Sequence, residues 1–278
     1  MQTFRRLQDP SSILGSSTNI GGEMKFKVLK SDMTSPFQGF KFETDKWYHC
    51  SDFDESGTQC SRGFYVTPVE GLTYAYRKDR RVFEAKVKGK SRAFDMFKQR
   101  YEYIKLIREL SIDEIRTLAK AEEEKCGYKL CEALFPFDPL TDANPRNRVT
   151  QKDIDNLKKW ISVADSVGDS VRTSVFDSVG DSVADSVEDS VGDSVFDSVG
   201  DSVADSVGAS VWTSAGAYIG SLFPNIKKWK YVEQKEGEYP FQCLVDLWYR
   251  GFVPSYDGVK WRLHQGRYAN IVYELEEK

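Results

Sequence analysis

The stretch that decides the fold is residues 161–216, ISVADSVGDSVRTSVFDSVGDSVADSVEDSVGDSVFDSVGDSVADSVGASVWTSAG. It repeats Asp-Ser-Val-x about fourteen times. Serine holds every fourth position from Ser162 to Ser214, and valine follows it from Val163 to Val211. The slot before serine is aspartate from Asp165 to Asp205 except at Thr173, and gives way again at Ala209 and Thr213. The fourth slot varies freely, with Gly168, Arg172, Phe176, Ala184, Glu188, Phe196 and Trp212. A strict short period means one structural unit stacked on copies of itself.

Three conformations compete for this segment. In an α-helix a four-residue period advances about 40° per repeat against the 3.6-residue turn, so the valine stripe spirals round the axis. Ser, Val, Asp and Gly also cost about 0.4–1 kcal/mol each relative to Ala in a helix, on the order of 20 kcal/mol over the whole run. Disorder suits the low complexity and acidity. In a β-solenoid valine points inward, serine bonds neighbouring backbone, and aspartate or glycine turns the corner. Four repeats would make a coil of about 16 residues, stacked about 4.8 Å from the next. The expected fold class is therefore α+β modules flanking a tetrapeptide-repeat segment. The repeat is expected to be a short β-solenoid, with a long α-helix of roughly 80 Å as the alternative.

The flanks read differently. Residues 1–23 form an N-terminal arm with arginines but no apolar stretch, which is not a secretory signal. Residues 24–135 read as an α+β domain. KFKVLK (25–30), GFKFE (39–43), KWYHC (46–50), GFYVT (63–67), RVFEAKVKG (81–89) and YEYIKLIREL (101–110) carry strand patterns. Pro68 opens a short helix, and Ser111 with Glu114 forms a capping box for a helix over 112–125. Residues 136–160 are a proline-rich linker and a helix capped by Thr150. The repeat, 161–216, leads to a C-terminal α+β cap, 217–278. There Pro240 and Gly251 bracket a helix, and a hairpin turns at Gln265-Gly266-Arg267.

The net charge of −4 conceals a split. The repeat carries ten Asp and Glu188 against Arg172, a net −10, which leaves about +6 elsewhere. An acidic run of this kind can hold basic partners or imitate nucleic acid. No apolar run approaches the ~20 residues of a membrane span. Five cysteines, odd in number and sparsely placed, fit free thiols in a reducing compartment.

Catalytic signatures are scarce. His49, Cys50, Cys60 and the Cys126/Cys131 pair lack the tight C-x2-C spacing of compact zinc sites, so no metal is expected. Arg62 to Thr67 before a short helix has a faint likeness to the strand–helix core of ADP-ribosyltransferases. On that reading His49 or Arg62, Tyr65, and Glu84 or Glu102 are the candidates, although the S-T-S run and E-x-E pair are missing. No phosphate loop and no Ser-His-Asp constellation is visible, and no cofactor is expected.

GFKFE, then Cys60-Ser61-Arg62-Gly63-Phe64, RVFEAKVKG, IKLIREL, TQKDIDNLKKW, the DSV repeats and the tail YPFQCLVDLWYRGFVPSYDGVKWRLHQG together resemble an uncharacterised family of bacteriophages and metagenomes. The resemblance spans about residues 24–275 and implies a viral origin with no activity to transfer. The expected function is a non-enzymatic viral structural or host-interaction protein, acting in host cytoplasm or virion. Its acidic repeat would serve binding or self-assembly, with a protein partner or a homo-oligomer and without membrane contact or direct nucleic-acid binding by the repeat. Candidate binding residues are Asp177, Asp181, Asp193, Asp197, Phe176, Phe196 and Trp212. The alternatives are an ADP-ribosyltransferase-like enzyme in the N-terminal domain and an acidic DNA mimic.

Overall fold

A computed structural model describes residues 4–6, 24–56, 61–94, 97–163, 166–179, 181–191 and 205–276. The chain divides into two compact units, 1–122 and 123–278. By composition the first carries 22 Lys and Arg against 17 Asp and Glu, the second 17 against 26. One unit is thus net basic and the other net acidic.

The first unit is built on an antiparallel sheet of β1 (Phe4–Arg6), β2 (Lys25–Lys30), β3 (Trp47–Cys50), β4 (Phe64–Val66), β5 (Arg80–Ala93) and β6 (Gln99–Glu109). Strand order is β1-β3-β6-β5-β2, and β4 also pairs with β6. One face buries Leu29, Phe42, Tyr48, Cys50, Phe64, Phe83, Ile104 and Leu106. Phe40, Phe42, Tyr48 and Phe64 meet there edge-on or tilted, with ring centroids 4.8–6.4 Å apart, the preferred geometry for aromatic pairs. The expected strand at 39–43 is instead a turn segment touching its neighbours through isolated bridges at Lys41 and Thr44. A short helix, α1 (Leu72–Ala75), follows β4, and α2 (Ile112–Cys126) follows β6. The reciprocal bonds of Ser111 and Glu114 start α2: Glu114 N donates to Ser111 Oγ at 3.2 Å, and Ser111 N to Glu114 Oε2 at 2.9 Å.

The second unit comprises α3 (Leu130–Leu134), α4 (Gln151–Ile161), α5 (Val167–Val179), α6 (Asp181–Val191), α7 (Asp205–Ser221), α8 (Gln242–Tyr249), and a small antiparallel sheet in the order β7 (Val253–Tyr256), β8 (Lys260–Gln265), β9 (Asn270–Glu276). Thr150 caps α4 in a full box with Asp153. Helix α5 packs against α6 and α7, α6 against α3, and α7 against α8 and β7.

The described part of the repeat is helical, which corrects the expectation of a β-solenoid there. It is not one long helix either, because α5, α6 and α7 lie side by side. The reason is the drift that argued against a helix. Over the two steps separating three valines, the stripe turns only about 80°, within the roughly 100° width of a core-facing stripe. Short helices therefore keep Val167, Val171 and Val175, and then Val183, Val187 and Val191, on buried faces. Serine sits beside valine on the same buried side and bonds main chain. Ser170 Oγ donates to the Lys230 carbonyl, Lys230 N donates to Ser174 Oγ at 3.0 Å, and Ser190 Oγ donates to the Ala133 carbonyl at 2.6 Å. Packing of this kind outweighs the modest helix propensity of Ser and Val.

Candidate functional site

The aspartate slot falls opposite the buried stripe, so Asp169, Asp177, Asp185 and Asp189 are exposed, as is Glu188. Of the expected binding residues, Asp177 is engaged within its own unit by the Lys230 ammonium. Phe176 lies on α5 and Asp181 opens α6. Trp212 lies on α7 with more than half its surface exposed. Asp193, Phe196 and Asp197 lie outside the described residues. The described acidic groups form no cluster able to hold a metal ion, and none exists elsewhere among the described residues.

The transferase candidates separate into different surroundings. His49 and Glu102 come together, Nε2 to Oε1 at 3.1 Å, with the imidazole stacked on Tyr103 at 4.3 Å. A register shift between Lys88 and Ser91 accompanies this, and Gly89, at φ +79°, gives Glu102 the room. A Cβ at Gly89 would stand 2.6 Å from Glu102 Oε2. Arg62 faces Asp52 at 3.7 Å, Glu84 faces Arg108 at 3.2 Å, and the Tyr65 hydroxyl accepts from Arg100 at 3.1 Å. Cys50 points into the core, where burial pushes its thiol up to about 12, far from thiolate chemistry. Cys50, Cys126, Cys131 and Cys243 are not joined in disulfides.

The built concavity of the first unit lies elsewhere. Strand β2, the turn at 35–38, β4, α1 and the approach to β6 enclose a cavity of about 180 Å³. Its wall is apolar, from Phe26, Val28, Val66 and Phe97, and Phe37 and Tyr74 are exposed members of the lining. Gly71 lets the start of α1 close on Phe97, since a Cβ there would stand 2.9 Å from Phe97 Cβ. Two lysines line the same space, Lys27 and Lys98, and among the described residues no carboxylate does.

Lys27 is the unusual group. It is only 7% exposed, in a strand row shared with the core residue Leu29. Its Nζ donates to the Tyr65 carbonyl at 3.0 Å and lies 5.4 Å from the Phe42 ring centre. Burial, and then the charge of Lys98, pull its ammonium down from 10.5 to about 8. Lys98 Nζ lies over the Tyr65 ring at 4.9 Å and the Tyr74 ring at 5.9 Å. The residues missed in the sequence were thus Lys27 and Lys98. The signal for Lys27 was its i+2 relation to Leu29, which places an apolar residue on the face that Lys25 and Lys27 made look solvated.

The second unit holds a serine–histidine contact that sequence reading did not anticipate. Ser255 Oγ and His264 Nε2 are 2.7 Å apart, and His264 Nδ1 donates to the Ala269 carbonyl at 2.8 Å. Because a carbonyl only accepts, the proton sits on Nδ1, and Nε2 accepts from the serine. Both residues are buried, and the group orienting the histidine is a main-chain carbonyl rather than a carboxylate. The pair locks β7 to β8 and the turn before β9.

No family model, no curated protein and no solved structure matches the chain. The likeness to a bacteriophage family therefore stands on the quoted residues alone. No helix among the described residues is long and apolar enough to cross a membrane.

Proposed function

We propose that this protein works by binding, and that its first unit takes a small organic anion with an apolar body into the cavity beside Lys27. The observation that supports this reading is a cavity with apolar and aromatic walls whose lining includes Lys27 and Lys98 and, among the described residues, no carboxylate. A buried ammonium is costly to desolvate, and an anion beside it relieves that cost. The volume suits one ring-sized ligand, since an apolar cavity of about 150 Å³ elsewhere holds benzene. Titration with phenylpropionate, followed by two-dimensional NMR of the labelled protein, tests it. Saturable shifts confined to residues around Lys27, Phe37 and Tyr74 support the reading, and shifts scattered over surface lysines overturn it.

A second reading concerns the second unit, favoured by the outward set of Asp169, Asp185, Glu188 and Asp189. There the helical repeat is a scaffold whose acidic exterior docks a basic protein, consistent with a viral structural or host-interaction role. Replacing these four by Asn or Gln leaves the buried Ser-Val stripe intact. Loss of complex formation with a basic partner upon that change, at unchanged melting temperature, is the expected result.

A further inference from the structure

We infer that the outer face of the first unit's sheet, around Trp47, Lys86, Lys88 and Tyr103, is a docking surface for single-stranded nucleic acid. This face lies away from the aromatic core, and the inference goes beyond both readings above.

Strand alternation separates the two faces of the sheet. Tyr48, Cys50, Ala85, Ile104 and Leu106 belong to the core, so Trp47, His49, Lys86, Lys88, Tyr103 and Lys105 take the opposite side. Register sets these six in two adjacent cross-strand rows. One runs His49–Tyr103–Lys88 and the other Trp47–Lys105–Lys86, and neither row contains a carboxylate. Lys86 and Lys88 are exposed, and among the described residues neither forms an ion pair. Asp45 holds Lys105 at 2.7 Å and Glu102 holds His49 at 3.1 Å, so those two carboxylates are already engaged.

Lys86 stands directly opposite Lys105, and like charges in that relation cost stability. A polyanion laid across the rows offsets that cost. Rings are interleaved with the cations. Lys88 Nζ lies 4.4 Å from the Trp47 ring centre and 5.3 Å from that of Tyr103. The His49 ring stacks on Tyr103 at 4.3 Å with 12° between the planes. Ammonium groups set beside ring surface match a chain that alternates phosphates with unpaired bases. An acidic protein would engage the lysines but gain little from the rings, and a duplex keeps its bases paired and stacked within itself. Two phosphates held by Lys86 and Lys88 give a slope of about −1.4 in log affinity against log salt.

The test is fluorescence anisotropy of the full chain at low salt, with labelled dodecamers of thymidylate and of uridylate as probes. Poly-aspartate and a DNA duplex of the same length are the competitors. Saturable binding of either single strand is expected. It should weaken about tenfold or more in the Lys86→Gln/Lys88→Gln double variant, and about fivefold or more in Trp47→Leu. The Trp47 variant should keep the native salt slope, because it removes stacking and no charge. Both lysines are exposed, so their variant retains the fold, which circular dichroism verifies. If Trp47→Leu does not fold, Tyr103→Leu replaces it. Absence of saturable binding overturns the inference, as does binding that the lysine variant leaves intact. Displacement by poly-aspartate at equal charge, with the ring variant neutral, marks the face as a site for acidic protein and overturns it too. Tighter binding of the duplex than of the single strand does the same.

Discussion

Ser190 Oγ donates to the Ala133 carbonyl at 2.6 Å, joining α6 to α3 across 57 residues of chain, and both residues are buried. The bond gives the invariant serine of the repeat a definite task. It satisfies a main-chain acceptor that a valine or alanine would leave without this donor. Ser190→Ala should therefore destabilise the protein by about 1 kcal/mol, the usual net worth of a buried hydrogen bond. Asp189→Asn, one position away and exposed, should stay within about 0.5 kcal/mol. Urea midpoints of the two variants separate the cases, and equal shifts would sink the idea that the serines are structural.

Arg250 and Asp153 test how α4 is tied to the end of α8. Arg250 Nε lies 2.8 Å from Asp153 Oδ1, while Asp153 Oδ2 accepts from Thr150 N at 2.8 Å and Thr150 Oγ1 at 2.6 Å. The aspartate side chain is buried and the guanidinium is partly exposed. Breaking a fully buried pair costs 3–5 kcal/mol, so Arg250→Met should cost somewhat less, about 2 kcal/mol. Adding Asp153→Asn to that variant should recover part of the loss by removing the stranded charge. Strictly additive melting data from the double-mutant cycle would contradict this.

Much of the flanking structure was legible because its signals are local. Thr150 and Ser111 mark helix starts by side-chain chemistry that needs no tertiary partner. Gly251 marks the end of α8 because the chain there takes φ +81°, and because a Cβ would meet Ala143 Cβ at 2.5 Å. The described part of the repeat departs from the expected solenoid because its period is ambiguous. Valine and aspartate at four-residue spacing suit a solenoid corner as well as a helix, and only the packing of one short helix on another resolves the drift. The candidate site was hidden for a related reason. Lys27 alternates with Phe26 and Val28 like any solvated strand residue, and its burial depends on β4 and the 35–38 turn, which are remote in sequence.

His264 makes the second unit sensitive to acid. Burial lowers its proton affinity below the usual 6.5, and the neutral ring is held by Ser255 and Ala269. The unfolded chain therefore binds a proton that the native chain resists, so stability is full above pH 6.5 and falls as pH drops below it. The slope should be at most about 1.4 kcal/mol per pH unit. His264→Gln should have a flatter melting profile between pH 4.5 and 6.5 than the native protein. An unchanged slope would move the acid sensitivity to other groups.

Lys27 should make the protein less stable than it could be. Its ammonium titrates near 8 when folded and near 10.5 when unfolded. Below pH 8 both states are protonated, and the native state carries the whole burial penalty. Between pH 8 and 10.5 the native state sheds its proton first, the unfolded chain holds more protons, and stability rises with pH. Above 10.5 the penalty is gone. The gap corresponds to roughly 3 kcal/mol as an upper figure for one isolated group. Lys27→Met fills the same volume without charge, so it should raise the melting temperature at pH 7 and lose that advantage by about pH 10.5. A costly lysine retained in an apolar cavity is the trade expected where a residue serves function at the expense of stability. If Lys27→Met is destabilised at pH 7, the lysine is a packing element of β2, and the case for a ligand site beside it weakens.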